Sequence, residues 1–520
     1  MPKLSNNSFL LAVAVFATCF LSFFFDPFLI INRDRFDDFS EEIVECSMLH
    51  TQAVGWRDRL GLGVYLPKKA CRDRFRDGSI TQVVRSNLAE LTDPNWERGL
   101  SRFSPSFIVP TSYWNIRRYM PGERLEFPDG SVRAVVEASI SNSYVTVRVD
   151  GPIQNAFSSA FAPDSRPPAG DFIRYDSQIG GPGFVFGGLY RIFKKHDVHF
   201  YRGFNIALLS LCIAVVGYFI AFEFGIIAAT SLCIAALFSP WLVNAAGNLY
   251  WMAWTWFLPA VLVLCLASQS QLETLSDRFG RKACAACFAV MALKCACGYE
   301  YLPSIMITSF LPIVYFWVRD RLPAMDAIRT IFKIGISGCA AFGAVLLAHA
   351  YLRAGSISSG IQAIASDVTR RTYASGGAVQ ESLGNGASLF EVVGLYFGRL
   401  FQPIIAGVTQ PFYVTLAVLA VFAILLTAEK GKHRALGAVF IVSILSPMSW
   451  VIAAKGHAFV HPHINAVLWD LPTVLLGVVC AMVALTKCAT LVHQLVISHE
   501  GRGSKPSLSV LPSDSCTPSS

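Results

Sequence analysis

Four separate stretches of this sequence bring carboxylates, amines, imidazoles and indoles to the ends of long apolar runs. The first is Asp26, then Asn32-Arg33-Asp34-Arg35-Phe36-Asp37-Asp38, just after the first apolar run. The second holds Asn244, then Asn248-Leu249-Tyr250-Trp251-Met252-Ala253-Trp254, ending at Trp256. The third is Lys294 followed by Gly298-Tyr299-Glu300-Tyr301. The fourth is Trp450, then Lys455-Gly456-His457 and His461-Pro462-His463. A carboxylate in such a place can take the proton of an acceptor hydroxyl, and cations or imidazoles can neutralise a departing phosphate. Aromatic faces can stack on sugar rings. Each stretch also has a plainer reading. The indoles fit an interfacial aromatic belt, Lys294 and Lys455 can snorkel, and Asp34, Asp37 and Asp38 fit a solvated loop. Three histidines within seven residues suggest a metal, but Pro462 interrupts any helix there and no carboxylate is near in sequence.

The composition says what must position these groups. Of 520 residues, 53% are hydrophobic and only 15% are charged. A soluble domain carries roughly 25% charged residues. The charges are also segregated: residues 32–203 hold 23 Lys/Arg and 21 Asp/Glu, which is 44 of all 78. This is the pattern of an α-helical polytopic membrane protein with one water-facing insert. The net charge of +8 comes without any Lys/Arg-rich block interleaved with aromatics, so nucleic acid is not an expected partner.

About ten transmembrane helices are expected, since a span needs about 20 apolar residues. The apolar runs are Ser8–Phe25, Phe204–Ala221, Gly225–Ala245, Trp251–Leu266 and Ala283–Cys297, then Leu302–Val318, Ile331–Tyr351, Pro411–Thr427, Leu436–Ala454 and Ile464–Leu485. With the N-terminus inside, one set of short loops carries Arg278, Arg281, Lys282, Arg319, Arg321, Arg329, Lys430, Lys432 and Arg434, whereas the opposite set carries only Lys455. That bias puts both termini in the cytoplasm and all four chemical stretches outside. The location expected is the cytoplasmic (inner) membrane. No small-x-small site follows the first run, so it reads as a retained span rather than a cleaved signal.

The chain then divides into a first span in 1–31, an extracytoplasmic domain 32–203, spans two to seven in 204–351, a second outer loop 352–410, spans eight to ten in 411–486 and a cytoplasmic tail 487–520, disordered in part. The insert is mixed α/β. Residues 124–127, 131–138 and 144–149 alternate as strands around Pro128-Asp129-Gly130 and Ser141-Asn142-Ser143, which predicts a small antiparallel meander. Gly180-Gly181-Pro182-Gly183 reads as an elbow into a short amphipathic helix along the outer surface, or as a phosphate-cradling loop. Cys46 and Cys71 are the insert's two cysteines and could pair. Cys284, Cys287, Cys295 and Cys297 have metal-like spacing, but the two pairs sit roughly 16 Å apart on one helix.

In layout the chain resembles the GT-C superfamily of polytopic glycosyltransferases, which use polyprenyl-phosphate-linked sugars. The likeness lies in the retained first span, a large first outer loop that opens on Asp34, Asp37 and Asp38, about ten spans and an active face outside. It implies that Asp34, then Asp37 and Asp38, is the catalytic base. It also implies a polyprenyl-phosphate-sugar lipid as one partner, a glycan or glycolipid acceptor as another, and membrane lipid around both. Lys455, His457 and Arg174 would then hold the donor phosphate, while Glu300, Tyr299, Trp251, Trp254, His461 and His463 would bind sugar or acceptor. A divalent cation stays open. Two departures stand against the likeness: the first loop is long and holds a meander, and no soluble domain follows the last run. The alternatives are a polysaccharide polymerase, for which Arg370-Arg371 would matter, and a lipid-linked glycan flippase, for which the chain shows no internal repeat.

Overall fold

In lipid every backbone donor and acceptor must be paired within its own segment, so each apolar run is expected to be helical. In the computed structural model all ten are helical over most of their length. The structure describes residues 6–27, 39–54, 60–64, 106–110, 121–122, 124–126, 131–141, 144–151, 173–269, 274–372, 388–398, 412–460 and 465–503. Asp34, Asp37, Asp38, Cys71, His461 and His463 lie outside these residues.

The elements, in chain order, are α1 (Asn6–Phe25), α2 (Phe39–Val54), β1 (Gly63–Val64), β2 (Ser106–Pro110), β3 (Arg124–Glu126), β4 (Val132–Ser141), β5 (Tyr144–Val149) and β6 (Ile173–Arg174). There follow α3 (Gly181–Phe193), α4 (Val198–Phe224), α5 (Ile226–Leu237), α6 (Pro240–Gly247), α7 (Trp254–Ala267) and α8 (Arg281–Cys297). The remainder are α9 (Leu302–Asp320), α10 (Ala324–Ala354), α11 (Ile357–Thr372), α12 (Leu389–Gly398), α13 (Phe412–Thr427), α14 (Lys432–Ala453), α15 (Lys455–Val460) and α16 (Leu475–Gly503).

Among the described residues, five helices are long and apolar enough to cross a membrane: α4, α9, α10, α14 and the stretch Val467–Ile497 that contains α16. A sixth is formed if α5 and α6 count as one span, bent by 72°. The apolar helices Phe9–Phe25, α7 and α13 are shorter. The chain is thus an α-helical, multi-pass membrane protein. The bend has a local cause. Pro240 has no N–H to continue the ladder, and the Ser239 hydroxyl caps the new helix by accepting from Leu242 N at 3.1 Å. A second break follows Trp469, where Leu471 has non-helical angles ahead of Pro472. The two breaks meet, with Ser239 Oγ donating to Asp470 Oδ2 at 2.5 Å.

Helices surrounded by lipid gain nothing from apolar burial against one another, so close packing has to hold them together. Small residues supply it. A Cβ on Gly437 would stand 2.4 Å from the Ala423 carbonyl oxygen, and one on Gly338 would stand 2.6 Å from Met306 Sδ.

A second cluster of buried residues joins the 39–64 and 181–193 segments to the ends of the spans. Ile43, Val44 and Leu49 of α2 pack with Leu62, Val64, Phe186 and Tyr190, and this cluster continues into Tyr201, Leu249, Met252 and Cys297 at the ends of the spans. Strands β3, β4 and β5 form the expected antiparallel meander, and β2 pairs with the far side of β5, giving the order β2-β5-β4-β3. Cys46 is disulfide-bonded. Cys284, Cys287, Cys295 and Cys297 are free thiols, and no group of three metal-ligating side chains exists among the described residues.

The glycine elbow is a packing device. Gly61 N donates to Ile179 O at 2.8 Å, which lays the 60–64 segment across the start of α3. A Cβ on Gly183 would fall 1.7 Å from Gly61 O. The helix start is therefore covered by backbone, and the phosphate-loop alternative is withdrawn. Gly183→Ala is expected to cost about 1–3 kcal/mol through overpacking. Gly343→Ala, with nothing within 4 Å of the added methyl, should be neutral. Thermal unfolding of the two variants side by side checks this.

Candidate functional site

A cavity of about 470 Å³ opens where the ends of α8, α9, α10 and α14 converge with α11 and α15. Its floor is apolar, with Met291, Met306, Gly338 and Phe342. Its mouth carries Ser177, Tyr299, Glu300, Arg353, Trp450 and His457. An apolar depth with a few convergent polar groups is the usual form of a small-ligand site.

Three sequence segments build the mouth. Leading into α3, the residues Asp176-Ser177-Gln178 cross the ends of the spans. There the Asp176 carboxylate pairs with Arg353 Nε at 3.3 Å, and its backbone carbonyl is 3.0 Å from His349 Nε2. A carbonyl can only accept, so Nε2 carries the hydrogen. Nδ1 then accepts from the Tyr299 hydroxyl at 3.1 Å. Burial pushes the Tyr299 phenol up, which keeps it a donor. The turn between α8 and α9 supplies Tyr299 and Glu300. Gly298, at φ 144°, needs the freedom of glycine, and its carbonyl accepts from Lys294 Nζ at 2.8 Å. The third segment is the end of α14 with α15, where the Trp450 and His457 rings meet edge to face at 5.6 Å.

Aromatic contacts run on behind the mouth. Trp251 lies 6.1 Å from Trp256, which meets Tyr301 at 5.2 Å, and Tyr301 meets Trp450 at 5.2 Å. This chain of rings ties the α6–α7 connection to the cavity wall.

Of the residues chosen from sequence, the structure brings Glu300, Tyr299 and His457 together at the cavity. It does not bring Trp251, Trp254, Lys455 or Arg174 to its lining. Trp254 Nε1 donates to Asn205 Oδ1 at 3.1 Å, and Asn205 Nδ2 donates to the Asn248 carbonyl at 2.8 Å, so this indole secures the 248–254 connection. Trp450 is the indole at the cavity instead. Lys455 lies within electrostatic reach of Glu391, whose carboxyl is held low by its capping hydrogen bonds with Ser388. Arg174 is exposed on the two-residue strand β6, opposite Gly63.

Lys294 differs from the snorkelling expectation, being 2% exposed. Arg353, His349 and Asp176 join the site without standing in any of the four sequence stretches. The signal for the first two was present: an imidazole and a guanidinium in the last turns of an otherwise apolar run.

Set against known protein families, curated proteins and solved structures, the chain matches none of them.

Proposed function

We propose that the chain is a glycosyltransferase of the cytoplasmic membrane. It has about ten spans, with both termini inside and the 32–203 domain outside, and it moves a sugar from a polyprenyl-phosphate donor to a surface glycan or glycolipid. The observation that carries this reading is the cavity: an apolar floor between helices for a lipid tail, and a mouth with Arg353 and His457 beside Glu300 and Trp450. An acceptor hydroxyl attacks the sugar's anomeric carbon, the carbon–oxygen bond to phosphate breaks, and polyprenyl phosphate leaves with the electron pair. Asp34, with Asp37 and Asp38 next in order, takes the hydroxyl proton. Arg353 and His457 hold the departing phosphate, and Glu300 orients the acceptor.

Wild-type protein in lipid nanodiscs, given a pool of polyprenyl-phosphate sugars and crude surface glycan, is expected to release polyprenyl phosphate detectable by mass spectrometry. No release with any donor, from folded protein, sinks the reading. Arg353→Met is expected to raise the donor KM on the order of tenfold, as for one lost charge-assisted hydrogen bond, with a smaller change in kcat. Arg353→Lys should recover part of that. One observation favours the polymerase as a second reading: Ile364 of α11 lines the cavity, and Arg370 and Arg371 follow on the same helix. Loss of chain extension in Arg370→Ala with single-sugar transfer intact would select it.

A further inference from the structure

Two apolar runs break at the same place, and a carboxylate sits where they meet. Ser239-Pro240 interrupts one run between α5 and α6, and Leu471-Pro472 interrupts the other ahead of α16. Asp470 is 1% exposed there, beside the apolar cluster that holds Leu242, Val467, Leu468 and Leu471. Its Oδ2 accepts from Ser239 Oγ at 2.5 Å, and its Oδ1 has no hydrogen-bond partner among the described residues. A buried carboxylate keeps its charge on an opposite charge or on several amide donors. Asp470 receives one hydroxyl and no amide, because Leu242 N at the start of α6 is already taken by Ser239 Oγ. The elements packed round it bring no charge either. α6 and the 445–453 half of α14 contain no ionisable side chain. Lys432, His433 and Arg434 stand at the start of α14, roughly 14 Å along the helix from Ser443, which faces the break through Thr473. Cys233 of α5 turns to Cys19, Lys487 of α16 pairs with Glu429, Lys455 lies within reach of Glu391, and Asp26 ends α1. Among the described residues none of them acts on Asp470.

A hard metal cation takes about six oxygens or more, and no group of three metal-ligating side chains occurs among the described residues. A proton needs one oxygen and no opening to the surface. We infer that Asp470 is a proton-binding site, with the proton on Oδ1 and the Ser239 hydroxyl on Oδ2, and that the neutral acid latches the two broken runs together. An acid proton without an acceptor costs far less at this depth than a bare charge. The latch connects to the cavity. Just ahead of the break, Asn465 Nδ2 donates to the Tyr396 hydroxyl at 3.0 Å, and that hydroxyl donates to Ala458 O at 3.0 Å, next to His457. The proton site stands whether or not the chain transfers sugars.

Infrared spectroscopy reads the proton directly. Full-length protein in nanodiscs, carrying isotope-labelled aspartate, is expected at neutral pH to show the carbonyl stretch of a protonated carboxylic acid that Asp470→Asn lacks. Ser239→Ala should keep that band and move it to higher frequency, because the carbonyl loses its hydrogen bond. Equilibrium unfolding in mixed micelles gives the second readout. The unfolded chain releases this proton above about pH 3.9, the ordinary aspartate value, while the folded acid keeps it. The wild-type folding constant, taken relative to Asp470→Asn, should therefore fall by about tenfold per pH unit as long as the folded acid stays protonated. Replacing choline chloride by sodium or potassium chloride should leave that ratio unchanged. An acid band equally strong in Asp470→Asn, or pH profiles that run parallel in the two proteins, overturns the site. A gain from sodium or potassium confined to the wild type overturns the proton in favour of a cation. If Asp470→Asn fails to fold, Ser239→Ala decides: an aspartic acid band that does not shift overturns the latch.

Discussion

Asp34→Asn should lower polyprenyl phosphate release by about 10²- to 10⁴-fold, the range that a positioned general base contributes. Donor binding should be unchanged, because the amide keeps the shape and most of the polarity while losing the proton-accepting charge. The pH profile carries the decisive sign. A carboxylate base works only when ionised, so wild-type kcat falls as pH drops through its pKa, and Asp34→Asn should lose that acid limb. Asp37→Asn and Asp38→Asn are expected to change the rate less than tenfold. Glu300→Gln should act mainly on the acceptor KM. The informative failure is full activity in all three aspartate variants with loss in Glu300→Gln. That outcome moves the base to Glu300, the one carboxylate among the residues that line the cavity.

What the sequence could and could not foretell divides along a physical line. Hydropathy orders residues along the membrane normal, because the cost of a polar group depends on depth. Helix existence, the clustering of Glu300, Tyr299 and His457 at one end of the spans, and the strands of the meander all follow from that ordering or from strand alternation. Hydropathy says nothing about rotation around a helix or about which helices touch. Trp251, Trp254 and Trp450 share one depth class, yet Trp254 is fastened to Asn205 while Trp450 borders the cavity. Lys294 illustrates the same gap: a lysine one turn from a helix end normally reaches water, but here it turns onto the Gly298 carbonyl. A bend escapes hydropathy for a related reason. The run Gly225–Ala245 is mostly apolar, but Ser239-Pro240 bends it by 72°, and a bend is a backbone property that average hydropathy does not register.

Breaking the Glu41–Arg202 pair is expected to have the largest effect on stability. Glu41 is buried, 4% exposed, and its carboxylate accepts from Arg202 Nε at 3.0 Å, from Arg202 Nη2, and from Leu249 N at 3.3 Å. One side chain thereby joins α2, the first turns of α4 and the connection leading to α7. Removing either partner leaves the other charge buried without its counter-charge, which costs about 3–5 kcal/mol in buried pairs. Arg202→Met should be the worse of the two. It takes the counter-charge from the carboxylate, whose side chain is 5% exposed, whereas Glu41→Ala takes it from a guanidinium that is 22% exposed and can turn toward water. The double variant removes both charges, so it should cost less than the sum of the singles, with a coupling of about 1–3 kcal/mol. Glu41→Gln keeps an acceptor for Leu249 N and should fall between. Equilibrium unfolding in mixed micelles measures all four. If Glu41→Ala costs less than about 1 kcal/mol, the pair behaves as a solvated surface bridge. The 248–254 connection, and through its rings the wall of the cavity, would then be held chiefly by Asn205 and Asn248 with the contacts of Tyr250 and Trp251.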